Sequence, residues 1–311
     1  MKTVVLDGFA ANPGDIGWDK MKEICSLTVY ERTSPGEIIS RCEGAQAVLT
    51  NKCPITRETM LALKELKYIG VLATGYNIVD VKAAKELGIA VTNIPSYSTE
   101  SVAQTVFAHI LEIAMHVGEH SRLVHEGVWQ NNKDFCFWRY PLIEISGKTL
   151  GIIGNGAIGK RVGEIGRAFG MKVKAYSPSQ CPSTVLDEII ETSDIISLNC
   201  PLKADNALMI NADTISRMKK GVWIINTARG GLVDEEAVAA ALKSGQIAYF
   251  SADVVSREPI EGTNPLLSAP NVTLTPHIAW APYEARIRLM DISINNLKAF
   301  IAGERLNRVD A

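Results

Sequence analysis

Residues 149–170 read TLGIIGNGAIGKRVGEIGRAFG, and this stretch constrains the fold more than any other. A run rich in β-branched residues, Thr149–Ile153, leads into Gly154-x-Gly156-x-x-Gly159, and a helical pattern over Ile158–Phe169 begins inside that turn. The first glycine permits the tight turn, the second lets backbone amides approach a pyrophosphate, and the third lets the helix pack close on its strand. The helix N-terminus adds the positive end of its dipole. Such a unit belongs to a parallel sheet wound with helices, so the rest of the chain should supply the other strands.

Further strands are expected at Lys172–Tyr176, Asp194–Leu198, Val222–Asn226, Ile247–Ala252 and Val272–Leu274, with helices at Val185–Ile190, Ala212–Met218 and Asp234–Lys243. An independent alternation precedes the glycine turn. Its strands are Val4–Leu6, Leu27–Tyr30, Ala47–Leu49, Tyr68–Ala73 and Ala90–Asn93, with helical spacing over Thr56–Leu66 and Val79–Leu87. A last helix opens at Pro282 and stops at Gly303. A chain of 311 residues exceeds what one core usually holds, so two α/β domains are expected. From Ser98 to about His116 the chain is apolar on nearly every side, which predicts a helix covered on both faces. The polar and aromatic stretch Ser121–Leu142 has no clear period and reads as an ordered arm. Its Trp129, Phe135, Phe137, Trp138 and Tyr140 need something to pack against, such as a second subunit.

Net charge is −2, which excludes a basic field for nucleic acid or anionic membrane. The six cysteines show no CxxC pair or zinc-ribbon spacing and read as reduced thiols. The first apolar stretch is too short for a signal sequence, and no run reaches the roughly 18 residues of a membrane span. A soluble, cytoplasmic protein is expected.

A dinucleotide turn is normally followed, about 20 residues on, by an acid that holds the ribose hydroxyls. Here KVKAYSPSQ places Ser177 at that point, with no Arg beside it for a 2′-phosphate. NAD is favoured slightly, and NADP or dual use stays open. Three further segments carry chemistry. NTARGGLVDEEAV sets Arg229 after a strand, SREPIEGTNPLL sets Glu258 before a Pro-containing turn, and TPHIAWAP sets His277 after another strand end. Alone, each reads more readily as a solvated charge or a loop residue. Together, on strand-end loops behind a dinucleotide turn, they form a candidate catalytic set.

The chain resembles the D-isomer-specific 2-hydroxyacid dehydrogenase family over essentially its whole length. The likeness is carried by LATGYNIVDVKAAKELGIAVTN (72–93), SVAQTVFAHIL (101–111), GKTLGIIGNGAIG (147–159), NTARGGLVDEEAV (226–238), ADVVSREP (252–259) and TPHIAWAPYEAR (275–286). Phe137-Trp138 together with TPHIAWA is similar to the glycerate dehydrogenase/hydroxypyruvate reductase branch. The resemblance implies a Rossmann cofactor domain, about 97–283, inserted in a flavodoxin-like substrate domain built from 1–96 and 284–311. It implies an active site in the cleft between them that closes before hydride transfer. Arg229 would clamp the substrate carboxylate and polarise its carbonyl. His277 would supply the proton, and Glu258 would hold the imidazole. The amides of Thr74 and Gly75 would hold the other side of the substrate, with Ala73 standing where many members have a glycine. The cofactor would meet Thr105, Gly154, Asn155, Gly156, Ala157, Ile158, Gly159, Ser177, Cys200, Thr227, Ala228, Arg229, Asp253, His277 and Ala279. Of these, Asp253 would take the nicotinamide carboxamide; its plainer reading is a turn acid. Substrate choice within the family would fall to Tyr76, Asn77, Tyr97 and the arm around Trp138.

Two other readings compete. His116-Val117-Gly118-Glu119-His120 matches the H-x-x-E-H zinc pattern, whose histidines would share one helix face. Gly118 weakens that helix where ligands must be rigid, and no metal is expected. A dinucleotide-sensing protein of the same fold without turnover is the second. The expectation is a homodimeric NAD(P)-dependent oxidoreductase of small 2-hydroxy or 2-oxo acids.

Overall fold

Short β-branched runs punctuated by turn residues become strands because both faces of a parallel sheet must be apolar. A computed structural model, which describes residues 1–310, shows eleven strands, all paired in parallel. The chain divides into two units, one of Met1–Ser98 with the segment from Ala281 onward, the other Thr99–Trp280.

In the first unit, β1 (Lys2–Val5), β2 (Ser26–Val29), β3 (Ala47–Thr50), β4 (Tyr68–Val71) and β5 (Ala90–Thr92) pair in the order β2-β1-β3-β4-β5. This is the flavodoxin-like winding, with its reversal at β1/β3. β3 and β4 are buried along their whole length. Val4, Val48, Ile69 and Val91 meet Ile38, Met60, Ala83 and Ala84 in one core. The helix Arg57–Ala62 starts at Thr56, whose hydroxyl accepts from the Thr59 N–H, and Val81–Glu86 starts at Asp80 in the same manner. Helix Tyr283–Ile301 follows Pro282, buries Leu289, Met290, Ile294 and Leu297, and stops before Gly303, which has φ 79°.

In the second unit, β6 (Thr149–Ile153), β7 (Lys172–Tyr176), β8 (Ile195–Leu198), β9 (Val222–Asn226), β10 (Ile247–Ala252) and β11 (Val272–Leu274) form a sheet ordered β11-β10-β9-β8-β6-β7. The chain leaves β6 to one side for β7 and returns to the other for β8. The winding therefore reverses beside the glycine turn. Because every strand runs the same way, the loops after all six strands lie along one edge of this sheet. Helices Ser183–Thr192, Ala212–Arg217 and Glu235–Ser244 belong to the core on one face. Helix Thr99–Met115 packs on the other, where Phe107, Ile110 and Ile113 join Leu150, Ile152, Trp223 and Ile225. Each fully buried side chain of this size contributes roughly 1.5–3 kcal/mol.

Within the chain the helix Thr99–Met115 buries one side, while Ala108 and Met115 are exposed and Leu111 half-buried, so cover on its other face would have to come from a partner subunit. One expectation needs correction. The stretch from Ser121 is not wholly irregular, because helix Val117–His125 runs into it before the chain becomes a series of turns. His116 separates the two helices with φ 47°, so His116 and His120 do not share one continuous helix face. His120 engages both ring nitrogens, one with His116 O and one with the Arg139 N–H. Among the described residues no helix is long and apolar enough to cross a membrane.

Candidate active site

β9, β10 and β11 are neighbours, and their exit loops carry Arg229, Glu258 and His277. His277 Nδ1 lies 2.6 Å from Glu258 Oε2. A carboxylate accepts only, so Nδ1 carries the hydrogen and the second ring nitrogen, Nε2, is the atom that gains or loses a proton. Nε2 has no protein partner among the described residues. The ring is about a third exposed (29%), enough for a substrate to reach it. The Val255 N–H donates to the other Glu258 oxygen, at 3.3 Å.

The backbone that presents His277 adopts φ 55°, which is costly for a side-chain-bearing residue and persists only where surrounding bonds hold it. Here the His277 N–H donates to the carbonyls of Asp253 (2.8 Å) and Thr275 (3.0 Å). The Asp253 carboxylate, 1% exposed, accepts from the Thr275 hydroxyl, the Ile278 N–H and the Ala279 N–H. Asp253 thus braces the loop on both sides of the histidine. Three of its acceptor positions are taken by that loop, as a turn acid's would be.

Arg229 is exposed, and one guanidinium nitrogen donates to its neighbour's carbonyl, Ala228 O, at 2.6 Å. The loop beneath is fixed by Asn226, the last residue of β9, which is buried. Its amide donates to Arg229 O (2.9 Å) and its oxygen accepts from the Ala228 N–H (3.0 Å). Glu235 does the same for the Glu258 loop, accepting from Ser256 N–H, Ser256 Oγ and Asn264 Nδ2 at 2.6–2.9 Å. Neither residue was singled out in the sequence. Asn226 could have been found as a turn-forming Asn at a strand end, whereas Glu235 looks like an ordinary first-turn acid of a helix.

At the reversal of the sheet, Gly154 has φ 105°, and a side chain there would strike the backbone of Asn199 and Cys200 at 2.5–2.6 Å. A Cβ on Gly159 would lie 1.9 Å from Gly154 O, so the helix Ala157–Ala168 sits directly on the turn. A Cβ on Gly156 would meet nothing, and no side chain caps the helix there. Bare backbone therefore faces open space at a helix N-terminus, as a pyrophosphate needs. Thr227 Oγ1 and Asn199 Oδ1, on the exits of β9 and β8, are buried without a hydrogen-bond partner among the described residues. Both fit a site whose remaining partner is a ligand. Burial pushes the Cys200 thiol up, which keeps it neutral beside that space. Thr105 Oγ1 is turned to Ser101 O, one turn back in its helix. The residues present therefore suit a dinucleotide. At the end of β7, Ser177 contacts Ser179 and Asn155 bonds Gln180, with no acid or arginine in that loop.

Thr74 and Gly75 belong to the first unit, on the exit of β4. Thr74 Oγ1 donates to Ile94 O and Asn93 donates to Thr74 O, both at 2.8 Å. Those bonds fix the loop, while neither the Thr74 nor the Gly75 N–H has a partner among the described residues.

Residues 107–279 match the model of the D-isomer specific 2-hydroxyacid dehydrogenase, NAD binding domain. The chain is 49% identical over its full length to the whole of the hydroxypyruvate reductase of Blautia hydrogenotrophica. It is 42% identical, over 91% of each chain, to the glycerate dehydrogenase of Methylorubrum extorquens. A solved acyclic imino acid reductase in complex with NADPH and D-Arg superposes with a TM-score of 0.85, at 31% identity over 99% of this chain and 100% of that one. With two parallel α/β sheets, a dinucleotide turn and this extent of similarity, the chain belongs to the D-isomer specific 2-hydroxyacid dehydrogenase family.

Proposed function

We propose that this oxidoreductase interconverts a small 2-oxo acid and its 2-hydroxy acid, of D configuration where C2 is a stereocentre, with hydroxypyruvate/glycerate or glyoxylate/glycolate as substrates. The His277–Glu258 pair at 2.6 Å carries the reading, because it leaves Nε2 as the one titrating atom of a partly exposed ring. The bound nicotinamide supplies or takes up the hydride at C2. Arg229 binds the carboxylate through its planar fork and polarises the C2 oxygen. His277 Nε2 delivers a proton to that oxygen in reduction and recovers it in oxidation. Glu258 accepts from Nδ1 and so holds the ring with Nε2 free to face the substrate. Thr74 and Gly75 offer amides to the substrate, and Asp253 and Ala279 contribute to the nicotinamide end.

NAD is the favoured cofactor, with NADP accepted, because the loop after β7 neither repels a 2′-phosphate with an acid nor attracts one with an arginine. A cytoplasmic location fits six free cysteines, three of them buried. A homodimer fits an arm that leaves Phe135, Trp138 and Trp129 exposed at 89%, 66% and 51%. The test is a panel of small 2-oxo acids assayed separately with NADH and NADPH. Turnover of hydroxypyruvate or glyoxylate is expected; cofactor binding without turnover of any acid would refute the proposal and favour a sensor.

A further inference from the structure

Inside the second unit a line of buried and half-buried polar groups runs from the helix Thr99–Met115 to the back of the His277 loop. Ser251 on β10 is fully buried, and its Oγ lies 2.6 Å from Nδ1 of His109, itself 4% exposed. His109 Nε2 lies 3.3 Å from Thr275 Oγ1, and the Thr275 hydroxyl donates to Asp253 Oδ1 at 2.5 Å. Asp253 in turn holds the amides of Ile278 and Ala279, the two residues after His277.

The hydrogens can be placed by elimination. Asp253, a carboxylate, only accepts, so it takes the single hydroxyl hydrogen of Thr275. Thr275 Oγ1 can then only accept from His109, which puts the imidazole hydrogen on Nε2. Burial holds the His109 pKa down against the pull of Asp253, so the ring is neutral and Nδ1 is left as an acceptor. The Ser251 hydroxyl, 2.6 Å from Nδ1 and 3.2 Å from Thr273 O, donates to the ring. Every group then points the same way, Ser251 to His109 to Thr275 to Asp253, and the chain ends on the carboxylate that braces the catalytic loop. Such aligned chains strengthen each link in a low-dielectric interior.

We infer that His109 is a positioning residue for His277, fixing through Thr275 and Asp253 the loop that presents the proton-donating ring. The inference rests on the proposed role of His277. A histidine that merely filled space would be replaced well by leucine. One that donates to Thr275 would be replaced better by glutamine, whose amide can offer a hydrogen near the Nε2 position.

The test compares His109→Leu, His109→Gln and His277→Gln in the full-length protein. It reads kcat for hydroxypyruvate at saturating NADH, the NADH dissociation constant and the thermal midpoint. His109→Leu should lower kcat roughly tenfold or more, since ångström-scale misplacement of a reacting group costs up to about a hundredfold. NADH affinity should fall by a smaller factor than kcat, and His109→Gln should recover most of kcat. Retention of kcat in His109→Leu, or an equal loss in His109→Gln, overturns the inference. Should His109→Leu not fold, the isosteric Thr275→Val cuts the same chain one link later, and unchanged kcat there is equally fatal. Full activity of His277→Gln would overturn the proton-donor reading. An inactive His277→Gln beside a fully active His109→Leu would overturn the relay alone.

Discussion

Gly230 follows Arg229 directly, and its substitution by alanine tests whether the catalytic loops are mutually supported. A Cβ at this position would lie 1.9 Å from the carbonyl carbon of Val255, 2.0 Å from its oxygen and 2.3 Å from Ser256 N. All three are backbone atoms, so no side chain can rotate away. Reaching an ordinary contact of 3.4 Å requires the Arg229 loop and the loop leading to Glu258 to separate by about 1.5 Å. A shift of this size between the carboxylate clamp and the tether of the proton donor should lower kcat/KM by about a hundredfold, or ~2.7 kcal/mol of transition-state stabilisation. Overpacking should also lower stability by about 1–3 kcal/mol. Gly231→Ala is the control, because its Cβ meets only Leu202 methyl and methine carbons, the nearest at 2.8 Å, which can turn aside. Steady-state reduction of hydroxypyruvate by NADH reads both variants, with thermal unfolding alongside. If Gly230→Ala keeps kcat/KM within about threefold of wild type, the loops are not held by this contact and the reasoning fails.

Arg229→Lys keeps the charge but loses the planar fork, so kcat/KM for a 2-oxo acid should fall by about 10–100-fold with NADH binding unchanged; a loss below about threefold would argue against a bidentate clamp. Ser177→Asp places a carboxylate at the end of β7, where it should lower kcat/KM with NADPH about tenfold or more while sparing NADH. Equal effects on both cofactors would move the ribose site elsewhere. Asp310 accepts from the Val91 N–H and from Arg308, tying the C-terminal segment to β5. Burial alone would raise its carboxyl, but those bonds outweigh it and hold the pKa below the usual range. The unfolded chain therefore takes up that proton first, and the group's contribution is present above about pH 4 and lost as pH falls through the lower folded value. Asp310→Asn should cost about 1 kcal/mol near neutral pH and nothing at strongly acid pH; a difference in thermal midpoint that is independent of pH would contradict this.

All eleven strands were legible in the sequence because each is a short apolar run between turn residues, and their ends fall within two residues of the expected ones. The helices Gly8–Ala11, Asp19–Lys22 and Ile38–Arg41 were not, since four residues are too few to show a helical period. Val117–His125 escaped because Gly118 and its polar residues blur the pattern. Arg229, Glu258 and His277 stood out through their places just after strands and through the family likeness. What holds them was hidden, because Ser251 and Thr275 reach His109 across 142 and 166 residues of chain. Asp253 shows the same limit. A sequence places an acid after a strand, but only the fold shows its oxygens turned onto Ile278 and Ala279.

The central claim, proton donation by His277, is tested most directly by single-turnover reduction of hydroxypyruvate on enzyme loaded with NADH, comparing wild type with His277→Gln. The account predicts stoichiometric D-glycerate from the wild type and a rate lower by roughly a hundred- to ten-thousandfold in the variant, with NADH still bound. A variant that reduces hydroxypyruvate at the wild-type rate would contradict it.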